Sequence, residues 1–123
     1  MNPNEIAKEK RKQDRLEKLG TQSPACSLCG ESDDRCLEAH HIAGRAYDEE
    51  TCILCRNCHR KASDDQKDHP KGNGKTVHPM DTIGRFLLGL GDLLALAALK
   101  LKEFGQYLIE QAKQFLQDKE ASC

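Results

Sequence analysis

A chain of 123 residues with 32% charged and 4% aromatic residues, and no tryptophan, cannot bury one large core. It accommodates one compact domain with appendages, of a size that usually needs a metal or a partner to fold. A net charge of −1 excludes a uniformly basic nucleic-acid binder, and an odd count of seven cysteines without a signal-peptide pattern argues against a secreted disulfide scaffold. Paired C-x-x-C spacing fits metal ligation in a reducing, cytoplasmic setting better.

In chain order, residues 1–20 hold a charged N-terminal helix. It reads as starting at Asn4, an N-cap, and stopping at Gly20, with Ile6, Leu16 and Leu19 as its few apolar anchors. Basic residues gather in this helix (Lys8, Lys10, Arg11, Lys12, Arg15, Lys18) and again over residues 56–75 (Arg56, Arg60, Lys61, Lys67, Lys71, Lys75). Either run can meet phosphates, and each taken alone reads equally well as a solvated helix face.

Residues 21–69 form the next unit. Strands are expected over Leu37–Ile42 and Thr51–Leu54, with a loop from Gly44 to Glu50 between them. A helix is expected from Arg56 to about Asp68, ended by His69-Pro70. Residues 70–80 are a linker, and its G-N-G-K lacks the frame of a phosphate loop. Residues 81–118 form a Leu- and Ala-rich amphipathic helix. The expected class is therefore a small α+β fold.

The stretch from Cys26 to Lys61 carries the chemistry. Cys26/Cys29 and Cys55/Cys58 form two C-x-x-C knuckles, with Cys29 and Cys55 26 residues apart. Four thiolates suit a structural zinc, and Gly30 relaxes the first turn. Cys52 to Cys55 has the same spacing, but Ile53-Leu54 reads as buried strand while Arg56-Asn57 suits a knuckle turn. Cys36 and Cys52 then read as small core residues and Cys123 as part of a frayed tail. His40 and His41 are adjacent, so on a regular strand they face opposite ways and suit two different duties. His59 opens the helix after the second knuckle, where it can converge with His40 on one ion. His69 and His78 read as a cap or surface residues.

The run L-E-A-H-H-I…C-I-L-C-R-N-C-H-R-K resembles the HNH endonucleases, whose ββα-metal core carries zinc knuckles. The resemblance spans about residues 25–62 and does not touch the C-terminal helix. It implies a hydrolase acting on phosphodiester bonds, with DNA favoured over RNA. It assigns His41 as general base, and His40 and His59 as ligands of a catalytic Mg²⁺ or Mn²⁺. Arg45, Arg56, Arg60 and Lys61 would hold flanking phosphates. The family places an Asn about five residues before the third cysteine, and Glu50 stands there. It also has a further ligand one turn after His59 in some members, where this chain has Ser63 beside Asp64. The alternative is a zinc-stapled nucleic-acid-binding or scaffold subunit without cleavage.

In the C-terminal helix, Ile83, Leu87, Leu90, Leu94, Ala97, Leu101, Phe104, Leu108 and Phe115 fall on one heptad seam, broken only by Gln111. Phe86, Leu93, Leu96 and Leu99 widen it. The seam points to a homo-oligomer, with docking on a larger partner or back on the chain's own module as the alternative. Membrane contact is disfavoured, because Arg85 and Lys100 bracket a short span that Asp92 interrupts.

Overall fold

The computed structural model describes residues 1–72 and 78–121. In chain order it has α1 (Pro3–Leu19), a 3₁₀ turn (Asp34–Cys36), β1 (Leu37–His41), β2 (Thr51–Cys55), α2 (Arg56–Gln66) and α3 (Pro79–Ala121). This is a small α+β fold with a two-stranded sheet and a long C-terminal helix. Asn73, Gly74 and Lys75 of the linker, and Cys123, lie outside the described residues.

α1 begins two residues earlier than its sequence suggests. Asn2, not Asn4, is the N-cap: its side-chain oxygen accepts from the Glu5 N–H, and the Glu5 carboxylate accepts from the Asn2 N–H, both at 2.9 Å. Pro3 follows at the first helical position, where its missing N–H would have had no helical partner. Gly20 closes the helix in the left-handed region, at φ 77°, as expected. Leu16 is the buried anchor, with Leu19 packed beside the core. Ile6 is 56% exposed and anchors nothing, because the helix touches the module only through its last turns. Arg15 donates to Asp34 at 2.6 Å and ties α1 to the 3₁₀ turn.

β1 and β2 pair antiparallel, with Leu37 opposite Cys55, Glu38 opposite Leu54, His40 opposite Cys52 and His41 opposite Thr51. Residues directly opposite share a face. Glu38, His40, Cys52 and Leu54 therefore lie on one face, which α2 covers, and Leu37, His41, Ile53 and Cys55 on the other. Leu54 and His40 are the largest fully buried side chains. The core cluster has eight residues: Cys26, Leu37, Ile42, Leu54, Cys55, Cys58, Ala62 and Leu93. Three are cysteines, so hydrophobic burial alone is a thin basis for this module.

The first half of α3 folds back on the module. Arg85, Gly89 and Leu93 are buried, and Phe86, Leu90 and Leu96 pack against the core. Gly89 makes the approach possible: a Cβ there would stand 1.7 Å from the Ile42 carbonyl oxygen. Polar ties fix the docking. His69 Nε2 meets Asp92 Oδ2 at 2.6 Å. Arg85 donates to Asp81 at 2.9 Å and to the Pro70 carbonyl at 2.7 Å. Its guanidinium also lies 4.0 Å from the centre of the Tyr47 ring. His78 accepts from the Met80 N–H at 3.1 Å, as a cap would. His69 is neither cap nor surface residue but half of a largely buried polar pair.

The docked face is offset from the heptad seam. Ile83, Leu87, Leu94, Leu101, Phe104, Leu108 and Phe115 are all more than half exposed, and of the seam's large residues Leu90 joins the core. From Leu101 to Ala121 every residue but Gly105 is exposed. By length and composition alone, α3 is long and apolar enough to cross a membrane, with an 18-residue stretch of mean hydropathy 1.6.

Candidate functional site

Two clusters share α2, which carries Cys58 of the first and His59 of the second. The first is the cysteine cluster. The Sγ atoms of Cys26, Cys29, Cys55 and Cys58 all lie within 4.8 Å of one another. Cys29 Sγ and Cys55 Sγ are 3.6 Å apart, close to the roughly 3.8 Å edge of a tetrahedron built on 2.3 Å zinc–sulfur bonds. The local backbone explains the arrangement. The Gly30 N–H returns to the Cys26 carbonyl at 3.0 Å, with Gly30 at φ 80°, and the Ser27 N–H donates to the Ile53 carbonyl at 2.9 Å, pinning the first knuckle to β2. Cys55 caps α2, its sulfur accepting from the Cys58 N–H.

Burial alone would raise the Cys26 thiol, but hydrogen bonds from the backbone of Cys55, Cys29 and Leu28 bring it down to about 6. Burial, then its neighbours' sulfurs, push Cys58 up. A site with one ready thiolate and two reluctant thiols, Cys29 and Cys58, fits a dication that draws the remaining protons off. These four residues can hold a structural zinc.

Cys52 lies outside the cluster, half-buried opposite His40, so the competing C-x-x-C is not the knuckle. Cys36 is exposed rather than a small core residue, because it ends the 3₁₀ turn on the outside of the module.

The second cluster lies on the α2 side of β1. The rings of His40 and His59 are 5.2 Å apart between centres, at 71° to each other. His40 is 2% exposed. Burial first, then the neighbouring His59 and His41, hold it down to about 4, which leaves its ring neutral at physiological pH. His59 is partly exposed and its Nδ1 meets Glu38 Oε2 at 2.6 Å. That hydrogen bond lowers the Glu38 carboxyl, with Arg56 adding to the effect from 3.3 Å. An ionised carboxylate only accepts, so Nδ1 carries the hydrogen, and in the neutral ring that tautomer puts the lone pair on Nε2.

His41 is half-buried at the end of β1, on the opposite face from His40. Gln66 locks this strand end: its amide nitrogen donates to the His41 carbonyl at 2.7 Å and the Ile42 carbonyl at 3.2 Å. Both amide hydrogens are then used, and the 3.5 Å approach to His40 Nε2 is marginal.

Beside His59 opens a cleft of about 880 Å³, lined by Glu38, Arg56, Asn57, Arg60, Lys61, Ser63, Asp64 and Lys67. Three of the four expected phosphate contacts therefore share one cleft. Arg45 does not line it; it stands exposed in the loop between the strands. Glu50 closes that loop by accepting from the Ile42 N–H at 3.1 Å through its carbonyl, while the residue itself is exposed. Asp64 pairs with Lys67 at 3.5 Å.

Sequence reasoning passed over Glu38 and Gln66. Glu38 stands two residues before the His pair and pairs across the fold. Gln66 lies two helical turns beyond His59, on the same helix face, and that spacing was the available signal.

Among the described residues, the cysteine cluster is the one group that brings three or more Cys, His, Asp or Glu ligand atoms this close. The chain matches no family model, no curated protein and no solved structure.

Proposed function

We propose that this chain is a metal-dependent endonuclease of the HNH kind, hydrolysing phosphodiester bonds in nucleic acid, with DNA favoured. The observation that carries the reading is the convergence of His40 and His59 on one side of β1, beside the basic cleft and next in sequence to His41. The two imidazoles would hold the divalent Mg²⁺ or Mn²⁺ that the resemblance implies. His40 is kept neutral by burial, and in neutral His59 the Glu38 contact puts the lone pair on Nε2. Two protein ligands suffice for Mg²⁺, which keeps several waters. Such an ion, when bound, supplies Lewis-acid stabilisation of charge on the phosphoryl and departing oxygens.

The chain's own residues do the rest. Arg56, Arg60 and Lys61 hold the flanking phosphates in the cleft, with Arg45 reaching from the loop. His41 accepts a proton from water as its oxygen bonds to phosphorus. The bond from phosphorus to the 3′ oxygen breaks, and that oxygen takes a proton from solvent, leaving a 5′ phosphate. Glu38 orients His59, and Gln66 holds the backbone of His41 in place.

A second reading is a zinc-stapled nucleic-acid-binding or scaffold subunit that does not cut. It is favoured by Glu50, which replaces an expected Asn and is exposed. Among the described residues no side chain hydrogen-bonds to the His41 ring to orient it. Plasmid nicking in Mg²⁺ or Mn²⁺ decides between them. The proposal expects nicking by the wild-type chain and a loss of roughly 10²–10⁴-fold in His41→Ala. Binding without cutting, identical in both proteins, would favour the second reading.

A further inference from the structure

Glycine is the least favourable helix residue after proline, yet α3 contains four, Gly84, Gly89, Gly91 and Gly105.

 Gly89 has its reason in the Ile42 carbonyl. The other three have none among the described residues, since a Cβ at Gly84, Gly91 or Gly105 would meet nothing within 4 Å. With Ala98 and Ala112 they recur every seven residues. They form a stripe of small residues beside the exposed seam of Ile83, Leu87, Leu94, Leu101 and Leu108, turned away from the face docked on the module. A second helix can bring its backbone close along such a stripe while the flanking leucines interlock.

We propose that two copies of this chain pair through α3, the small-residue stripe of each helix lying against the other. Charge supports a second copy as the occupant. Between Lys100 and Glu120 four lysines balance four acids, so the projecting helix presents no net field to an acidic lipid surface and suits a neutral helix like itself. Area supports it as well. A stable interface covers roughly 800 Å² on each partner. α3 exposes thirteen large apolar side chains, each 44% exposed or more, along a helix about 65 Å long. Membrane crossing would pull the apolar half of α3 from its docked place, where Arg85 holds the Pro70 carbonyl and Asp92 holds His69. The pair carries two modules, and so two basic clefts, on one assembly.

Sedimentation velocity on the zinc-loaded full chain tests this without reading cleavage. A dimer is expected at micromolar concentration. Gly91→Leu and Gly105→Leu should keep zinc content and helicity, because each new side chain has open space in its own chain, and should weaken pairing at least tenfold. A monomer at every concentration would overturn the proposal, as would undiminished pairing of both variants. Flotation of a monomeric chain with phosphatidylcholine–phosphatidylglycerol vesicles would also overturn it and assign the face to a membrane.

Discussion

The module between Pro24 and His69 and the helix α3 have opposite shortages. The module has chemistry-bearing side chains in its interior and few hydrophobes: three cysteines and a histidine are among its most buried residues. α3 has more apolar surface than the module can cover, and thirteen of its large side chains remain exposed. The module therefore has a cysteine cluster that can hold a metal and leans on the docked half of α3, while the rest of α3 stays uncovered by the described residues. Each dependence can be broken separately.

The largest effect belongs to the zinc. Structural zinc in small domains contributes apparent free energies of roughly 10–16 kcal/mol at neutral pH. Chelation, or Cys58→Ala, should abolish the cooperative thermal transition of the module, followed by circular dichroism.

Next comes the pair of glycines two residues apart on α3. Gly89→Ala drives a methyl into the Ile42 carbonyl and should cost about 3 kcal/mol in chemical denaturation. Gly91→Ala meets nothing within 4 Å and should instead stabilise dilute, unpaired protein by about 1 kcal/mol. Equal effects at the two positions would contradict the docked face. Removing the His69–Asp92 tie through His69→Ala should cost about 2 kcal/mol in the same assay.

The smallest effect is a pH dependence. His40 is held at about 4 in the fold against 6.5 for a free imidazole. Between those values the unfolded chain binds more protons, so stability is full above 6.5 and is lost as pH falls toward 4. At pH 6 the expected loss is below about 1 kcal/mol. His40→Gln should flatten this part of the melting-temperature profile relative to wild type.

The cysteine cluster was legible because metal spacing is a local property: two C-x-x-C turns declare themselves without knowledge of the fold. The strands and α2 were legible within two residues for the same reason. The N-cap was misplaced because N-P-N-E offers two asparagines, although Pro3 and Glu5 both mark Asn2. The docked face of α3 was not legible. The heptad seam is the most regular apolar pattern in the helix, but docking depends on Gly89 and the Ile42 carbonyl, which are 47 residues apart in sequence and meet only after β1 and α2 are in place. Glu38 and Gln66 escaped for a related reason, since both act across elements on groups 21 and 25 residues away.

The central claim is that the cysteines hold the fold and the histidines hold a separate ion. Metal analysis of dialysed protein, followed by Mn²⁺ titration of wild type and His59→Ala, tests it most directly. The account predicts one zinc per chain that survives dialysis in both proteins, and a weaker, exchangeable Mn²⁺ site in wild type that His59→Ala loses. Retention of the Mn²⁺ site in His59→Ala, or loss of the zinc with it, would contradict that division.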